Sequence, residues 1–344
     1  MIMPDQLSTL APFPPPLPLE DGYERHAPGP EALRRALFRI ASLRNWAGAS
    51  WPEFIAALLA LGRTDVPLSR LAEGHLDALR ILEQADRQPQ PDALYGVWAS
   101  RSQRTGVAAT WTDDGLLLDG TIRFASGAGL LDRALVPVWL DAETHLLLDL
   151  AVSELPLDTG QWTTAAMEVS QSHTVAINCI RVDPIVQVGP VNFYLSRPGF
   201  FPGGVGVAAC WAGGAARVAD LLFARMIAPP PSMLLRLGRV RAQLAAAGAA
   251  VTMAAQRLTT VLADPDEDLT IIQAVSTEAR VVVADAVHTV LEEARRVAGP
   301  AGLAYNKDLT RAVHDLSLYV LQQNADADHT FLGARHHMRG PSTS

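Results

Sequence analysis

The strongest constraint on this chain's fold lies in its last third. From residue 203 to about residue 333, alanine-rich apolar stretches of helical periodicity follow one another with few interruptions. Their spacing predicts helices over residues 205–227, 232–262, 269–298 and 308–324. The breaks fall at Pro229-Pro230-Pro231 and Asp264-Pro265-Asp266-Glu267, where proline removes a backbone donor and stops a helix. Helices this long and this rich in small residues pack closely side by side, so a four-helix bundle is expected over residues 203–334.

The two preceding regions differ in texture. Residues 30–90 read as a helical domain. Leu33, Leu37, Ile40 and Leu43 line one helix, and Phe54, Leu58 and Leu61 line a second that enters at Ser50-Trp51-Pro52-Glu53. A third carries Leu71, His75, Leu79 and Leu82 on one stripe before Gln88-Pro89-Gln90-Pro91 ends it. Residues 91–202 read as strands, with short apolar runs at 106–111, 115–118, 134–140 and 145–150. Asp113-Asp114-Gly115 is a hairpin signal between the first two. Strands spaced about ten residues apart suggest a small barrel or sandwich. Residues 1–29 form a proline-rich arm, and 335–344 a tail expected to be disordered. The expected fold is multidomain α+β: an N-terminal α domain, a middle β-barrel domain and a C-terminal four-helix bundle.

Composition excludes several function classes. The net charge of −8 argues against a general nucleic-acid binder, which needs a basic footprint. Two cysteines, Cys179 and Cys210, cannot build a disulfide scaffold or a zinc knuckle and are expected to be buried. No export signal is evident, and the most lipid-like stretch, 242–255, is too short to span a bilayer. A cytoplasmic protein with no membrane partner is the expectation.

Local motifs add little alone. Gly204-Val205-Gly206-Val207-Ala208-Ala209 matches a dinucleotide pattern, but it precedes helices rather than a βαβ unit, so tight helix packing accounts for it. Glu73, His75 and Asp77 on one helix read as a solvated face plus a buried imidazole, and His336-His337 sits in the polar tail. Ser126, in Phe124-Ala125-Ser126-Gly127-Ala128-Gly129, lacks a nucleophile elbow. Its flanking glycines allow close backbone approach to some partner.

The order of regions resembles the acyl-CoA dehydrogenase architecture. The run Leu116-Leu117-Leu118-Asp119-Gly120-Thr121-Ile122-Arg123-Phe124-Ala125-Ser126-Gly127-Ala128 is similar to that family's middle-domain "LnGtKxwiTna" segment. Gly299-Pro300-Ala301-Gly302 with His314-Asp315 resembles its "GGxG…RD" segment. Trp162 through Met167 to Ser170-Gln171-Ser172 resembles the strand leading to its "GxrxSxt" turn. The resemblance implies FAD held between the β domain and the bundle, and a dimer or tetramer in which a second subunit completes the site. It implies that Ser126 hydrogen-bonds the isoalloxazine edge, that Phe124 packs beside the ring, and that Gly299 and Gly302 lie along a neighbour's adenine half.

The departures matter as much. The family's catalytic glutamate position falls on Gln323, whose amide has no useful basicity near neutral pH. The pyrophosphate arginine falls on Ile227 or Pro230, with Arg225 nearby, and Ser100-Arg101-Ser102 replaces the "GSD" turn. Three functions are therefore compatible: an FAD-dependent oxidoreductase acting on an acyl thioester through a non-standard base, a flavin-dependent monooxygenase on the same fold, or a non-catalytic binding or scaffold relative.

Overall fold

The computed structural model describes residues 13–20, 23–102, 105–224, 226, 228–264 and 268–338. The chain divides into two compact units: a helical unit of residues 1–18, 50–69 and 201–344, and a sheet unit of residues 19–49 and 70–200. Ile227 and Arg225 lie outside the described residues.

The helical unit opens with α2 (Trp51–Thr64). Its start is fixed by a capping box: the Ser50 side chain accepts from the Glu53 N–H, while the Glu53 carboxylate accepts from the Ser50 N–H. Its next long helix, α5 (Phe200–Phe223), is long and apolar enough to cross a membrane, but 83% of its apolar window is buried inside the protein. Among the described residues this helix, and not residues 242–255, is the one long and apolar enough to qualify. It packs against α2 backbone to backbone. A Cβ on Gly62 would lie 2.2 Å from the Cys210 carbonyl oxygen, and one on Gly213 would lie 2.2 Å from that of Leu59. The dinucleotide-like glycines lie inside this helix, with Gly206 against Leu58 and Phe54, which confirms them as packing residues.

Helices α6 (Pro231–Val261) and α7 (Leu269–Tyr305) follow, and α8 (Lys307–Tyr319) packs on α7. Buried Glu293 of α7 accepts from Arg236 at 2.8 Å and from Arg239 at 3.2 Å, both on α6. The Arg236 hydrogen bond holds that carboxyl below the ordinary carboxylate range. The expected helix 308–324 is shorter in the structure. It stops at Tyr319, a 3-10 turn covers Val320–Gln322, Gln323 is extended, and α9 (Ala325–Met338) begins anew. The start of the expected disordered tail is therefore helical through Met338. The described part of the proline-rich arm also packs on its own chain. Arg63 donates to the Phe13 and Pro14 carbonyls, and Leu17 N–H donates to Thr64 Oγ1 at 2.7 Å. A polyproline segment leaves its carbonyls unpaired, and α2 supplies the donors.

The sheet unit holds α1 (Pro30–Ser42), most of α3 (Val66–Gln84), a seven-stranded mixed sheet and the single turn α4 (Phe193–Ser196). Strand β4 (Arg133–Trp139) is its hub. One edge pairs with β5 (His145–Ala151), and the other is shared by β1 (Tyr95–Val97) and β2 (Gly106–Thr112), both parallel to it. Strand β2 turns at Asp113-Asp114 into β3 (Gly115–Ala125), the expected hairpin. Strand β3 runs beyond its expected end and pairs with β7 (His173–Val182), which pairs with the short β6 (Leu157–Asp158). Two register shifts in the β3–β7 ladder bend the sheet. Ile81, Leu82, Tyr95, Leu135, Leu147 and Val188 form the core between α3 and the sheet. His75 is buried here, and its Nδ1 accepts from the Tyr95 N–H. Cys179, expected inside, is exposed on β7 with φ 51°, whereas Cys210 is buried.

Candidate functional site

Strand β3 ends in an irregular edge, and the chain concentrates backbone strain there. Phe124, Met167 and Gln171 all adopt left-handed φ of 58°, 58° and 44°. For residues with a Cβ this costs about 1–3 kcal/mol each and persists where the surroundings impose it, as they do at binding sites. The stretch from Trp162 to Met167, expected as a strand, is a loop ending in the 3-10 turn Glu168–Ser170. It folds against the Phe124–Gly129 turn: Gly127 N–H donates to the Ser170 carbonyl at 2.8 Å. Gly127 itself needs to be glycine, since φ is 77° and a Cβ would meet Leu131 at 2.6 Å.

The two loops bring three hydroxyls into line. Ser126 Oγ lies 2.8 Å from Ser172 Oγ, which lies 2.8 Å from Ser170 Oγ, and Ser170 donates to the Met167 carbonyl at 2.6 Å. Each hydroxyl has one hydrogen. With the Ser170 hydrogen spent on Met167, Ser172 donates to Ser170 and Ser126 donates to Ser172. The chain is thus polarised, and Ser126 Oγ presents lone pairs alone. Trp98 locks the same turn, its indole N–H donating to the Ser126 carbonyl at 3.0 Å. Phe124 stands outside this buried network, 58% exposed, with its ring edge-on to Trp162 at 6.2 Å. His173 borders the network, and burial pushes its imidazole pKa down.

The remaining sequence-predicted residues lie in the helical unit. Gly299 interrupts α7 with φ 57° and ψ −175°, and nothing stands within 4 Å of where its Cβ would be. A Cβ on Gly302 would meet that of Ala298 at 2.8 Å. Gln323 sits at the break before α9, and its amide donates to Asp328 at 3.2 Å. A continuous helix would separate these two side chains; the break brings them together. Among the described residues no group of three metal-ligating side chains occurs. The roles of Ser170, Ser172 and Trp98 were not read from the sequence. Ser170 and Ser172 entered the sequence reading only through the resemblance to the family's turn, and their bond to Ser126 shows only once the fold places them opposite it.

No protein-family model matches this chain, and no curated protein matches its sequence. Solved structures do match its fold. The ternary complex of TdsC from Paenibacillus sp. A11-2 with FMN and indole superposes with a TM-score of 0.73 at 18% identity, covering 92% of this chain and 91% of that one. XiaF from Streptomyces sp. in complex with FADH2 and glycerol gives 0.72 at 18% identity, covering 93% and 91%. The HsaA monooxygenase from M. tuberculosis gives 0.73 at 14% identity, covering 91% and 92%. The chain shares the fold of these solved structures.

Proposed function

We propose that this protein is a flavin-dependent monooxygenase that takes up reduced flavin at the Phe124–Ser126 edge. The observation that carries this reading is the polarity of the serine chain. Oxidised isoalloxazine offers mainly acceptors along its central edge, whereas the reduced ring adds an N–H donor there. A Ser126 oxygen that only accepts is matched to the reduced ring. Phe124, held outward at a backbone cost, supplies an apolar face for a planar ring, and Trp162 braces it. Support also comes from neighbours of the same fold whose structures contain FMN or FADH2. They leave either flavin nucleotide possible, so the FAD expected from the sequence becomes one of two candidates.

When bound, reduced flavin supplies two electrons to dioxygen, one oxygen atom entering the substrate and the other leaving as water. The residues of this chain orient and shelter that chemistry. Ser126 fixes the edge of the ring through its lone pairs. Ser172 and Ser170 hold the Ser126 hydrogen away from the ring, and Phe124 covers the ring from water. None of these roles requires a carboxylate base, which is consistent with an amide at Gln323.

The test is anaerobic titration of the purified protein with dithionite-reduced FMN and FAD, followed by mixing with oxygen-18 gas and indole as a probe aromatic. Tighter binding of reduced than of oxidised flavin, and label in the product, support the reading. Equal or absent binding of the reduced form overturns it. A second reading, dehydrogenation of an acyl thioester, is favoured by the Gln323–Asp328 contact, because it places a carboxylate beside the position expected for the base. Anaerobic bleaching of bound flavin by an acyl-CoA, abolished in Asp328→Asn, would establish it instead.

A further inference from the structure

The Ser126 turn is braced from outside the sheet as well as from within it. Arg34 reaches it from α1: Nη1 donates to the Leu130 carbonyl at 2.6 Å, and Nη2 donates to Asp132 Oδ2 at 3.0 Å. The same Asp132 oxygen accepts from the Leu94 N–H at 2.8 Å, and the Leu94 carbonyl accepts from the Asp132 N–H at 2.9 Å. One guanidinium fork therefore ties the end of the turn to the start of β1. Strand β1 runs on to Trp98, whose indole holds the Ser126 carbonyl.

The brace reaches Ser126 through a short run of hydrogen bonds. The peptide joining Leu130 to Leu131 is held at its carbonyl by Arg34 and donates its N–H to the Gly127 carbonyl at 2.8 Å. Gly127 in turn donates to the Ser170 carbonyl. Ser126 is the next residue back, and its Oγ crosses from one loop to the other to meet Ser172 at 2.8 Å. Hydrogen bonds weaken steeply once distance and angle are lost, so the place of the turn decides whether the Ser126 hydrogen stays on Ser172. Helix α1 does not need Arg34 to dock, because Leu33, Leu37 and Ile40 bury its apolar face. The Arg34–Asp132 pair keeps 32% and 38% of its side chains exposed, and such a pair adds little to stability. What the arginine supplies is position.

We propose that Arg34 is a positioning residue for flavin recognition: its bridge from α1 to the Leu130 carbonyl and Asp132 holds the Ser126 turn where the Ser126 hydrogen stays on Ser172 and its lone pairs face the ring. The proposal rests on the flavin reading above. It adds that a residue touching neither the ring nor the serines sets the preference for one redox state. Asp132 also acts on buried His75 through its charge, so the arginine is the partner to vary.

The experiment titrates the full-length protein with FMN and with FAD, each oxidised in air and dithionite-reduced without it, for the native chain, Arg34→Met, Arg34→Lys, Ser172→Ala and the double variant Arg34→Met with Ser172→Ala. The quantity read is the ratio of reduced to oxidised affinity. Arg34→Met keeps the length of the side chain and removes every donor, and should lower that ratio about fivefold while oxidised flavin binds as before. Arg34→Lys keeps the charge but not the fork, and should lower it only about twofold, a partial rescue that also decides the matter if Arg34→Met fails to fold. Because both residues act through one hydroxyl, adding Arg34→Met to Ser172→Ala should lower the ratio no further. A ratio unchanged in both arginine variants overturns the proposal and leaves the flavin reading intact. So does a loss that falls equally on both redox states, or one that adds to that of Ser172→Ala, since either would make Arg34 a general support of the fold. Equal binding of the two redox states by the native chain, or no binding at all, removes the flavin reading and this proposal with it.

Discussion

The two units use their exceptional residues differently. In the helical unit the exceptions serve packing: Gly62 and Gly213 let α2 and α5 meet at the backbone, and the buried carboxylates Glu293 and Asp65 are matched by arginines. In the sheet unit the exceptions cluster at one irregular edge of the sheet. Phe124 is turned outward at left-handed φ, three serines spend their hydrogens on one another and on the Met167 carbonyl, and Arg101 stacks on Trp139 with no carboxylate partner among the described residues. Backbone strain of this kind persists where the surroundings impose it, as they do at binding sites. The contrast is the reason the proposed flavin site is placed in the sheet unit.

The largest effect expected is structural and falls in the helical unit. Gly213→Ala puts a methyl group against the Leu59 carbonyl and the Arg63 amide, both backbone and unable to rotate away. Forcing α5 off α2 should cost about 4 kcal/mol, read from urea unfolding. A loss below about 1 kcal/mol would show that the helices are not in backbone contact, and the contrast with the sheet unit would fail.

Acid should act through the sheet unit. His75 is buried and neutral, its pKa pushed down to about 4 by burial and only partly restored by Asp132. The unfolded imidazole binds its proton near pH 6.5, whereas the native one does not until about pH 4. Stability is therefore full above pH 6.5 and falls as the pH drops through that window, by up to about 3 kcal/mol. Urea midpoints measured from pH 7.5 to 4 should show this loss, and His75→Gln should flatten it. An unchanged slope in the variant would mean that another group carries the acid sensitivity.

A smaller effect separates structure from function within the site. Ser172→Ala removes the central hydroxyl and leaves Ser126 and Ser170 without their mutual bridge. It should cost about 1–2 kcal/mol of stability. It also frees the Ser126 hydrogen to turn outward, so selectivity for reduced over oxidised flavin should fall by about fivefold to tenfold, read from paired anaerobic and aerobic titrations. Selectivity that survives the substitution would detach the serine chain from flavin recognition.

How much of this was legible in the sequence depends on whether the signal was local. The capping box at Ser50–Glu53, the Asp113-Asp114 turn and the breaks at the proline and acidic runs are local, and their elements appear where periodicity placed them. Strand β7 escaped because its apolar residues, Val175 and Ile177, are interleaved with His173, Thr174 and Asn178, and its partner β3 is distant in sequence. The stop at Tyr319 escaped because Val320-Leu321-Gln322-Gln323 has no glycine or proline to announce it. Ser126 stood out through its glycines, but its hydrogen-bond direction depends on Ser170 and Ser172, some 45 residues on. The stacking of Arg101 was hidden because its partner Trp139 lies on β4, distant in sequence.

Phe124 gives the smallest stability change and the sharpest comparison. Its φ of 58° strains any residue with a Cβ, and its side chain is 58% exposed, so it buries little apolar area. Phe124→Gly relieves the backbone by about 1 kcal/mol and forfeits the edge contact with Trp162, worth about 0.5–1.5 kcal/mol. The two nearly cancel, and the urea-derived stability should stay within about 0.5 kcal/mol of the native chain. Flavin affinity should not be spared in the same way. Glycine keeps the turn and the serine chain but removes the only large apolar surface the turn presents, so reduced flavin should bind about tenfold more weakly. The two measurements on one preparation decide what the strain is for. A large loss of stability with unchanged flavin binding would make Phe124 a folding residue and return the sheet unit to the same standing as the helical one. Unchanged stability with weakened binding means the chain holds this residue in an unfavourable conformation for the sake of what sits against it.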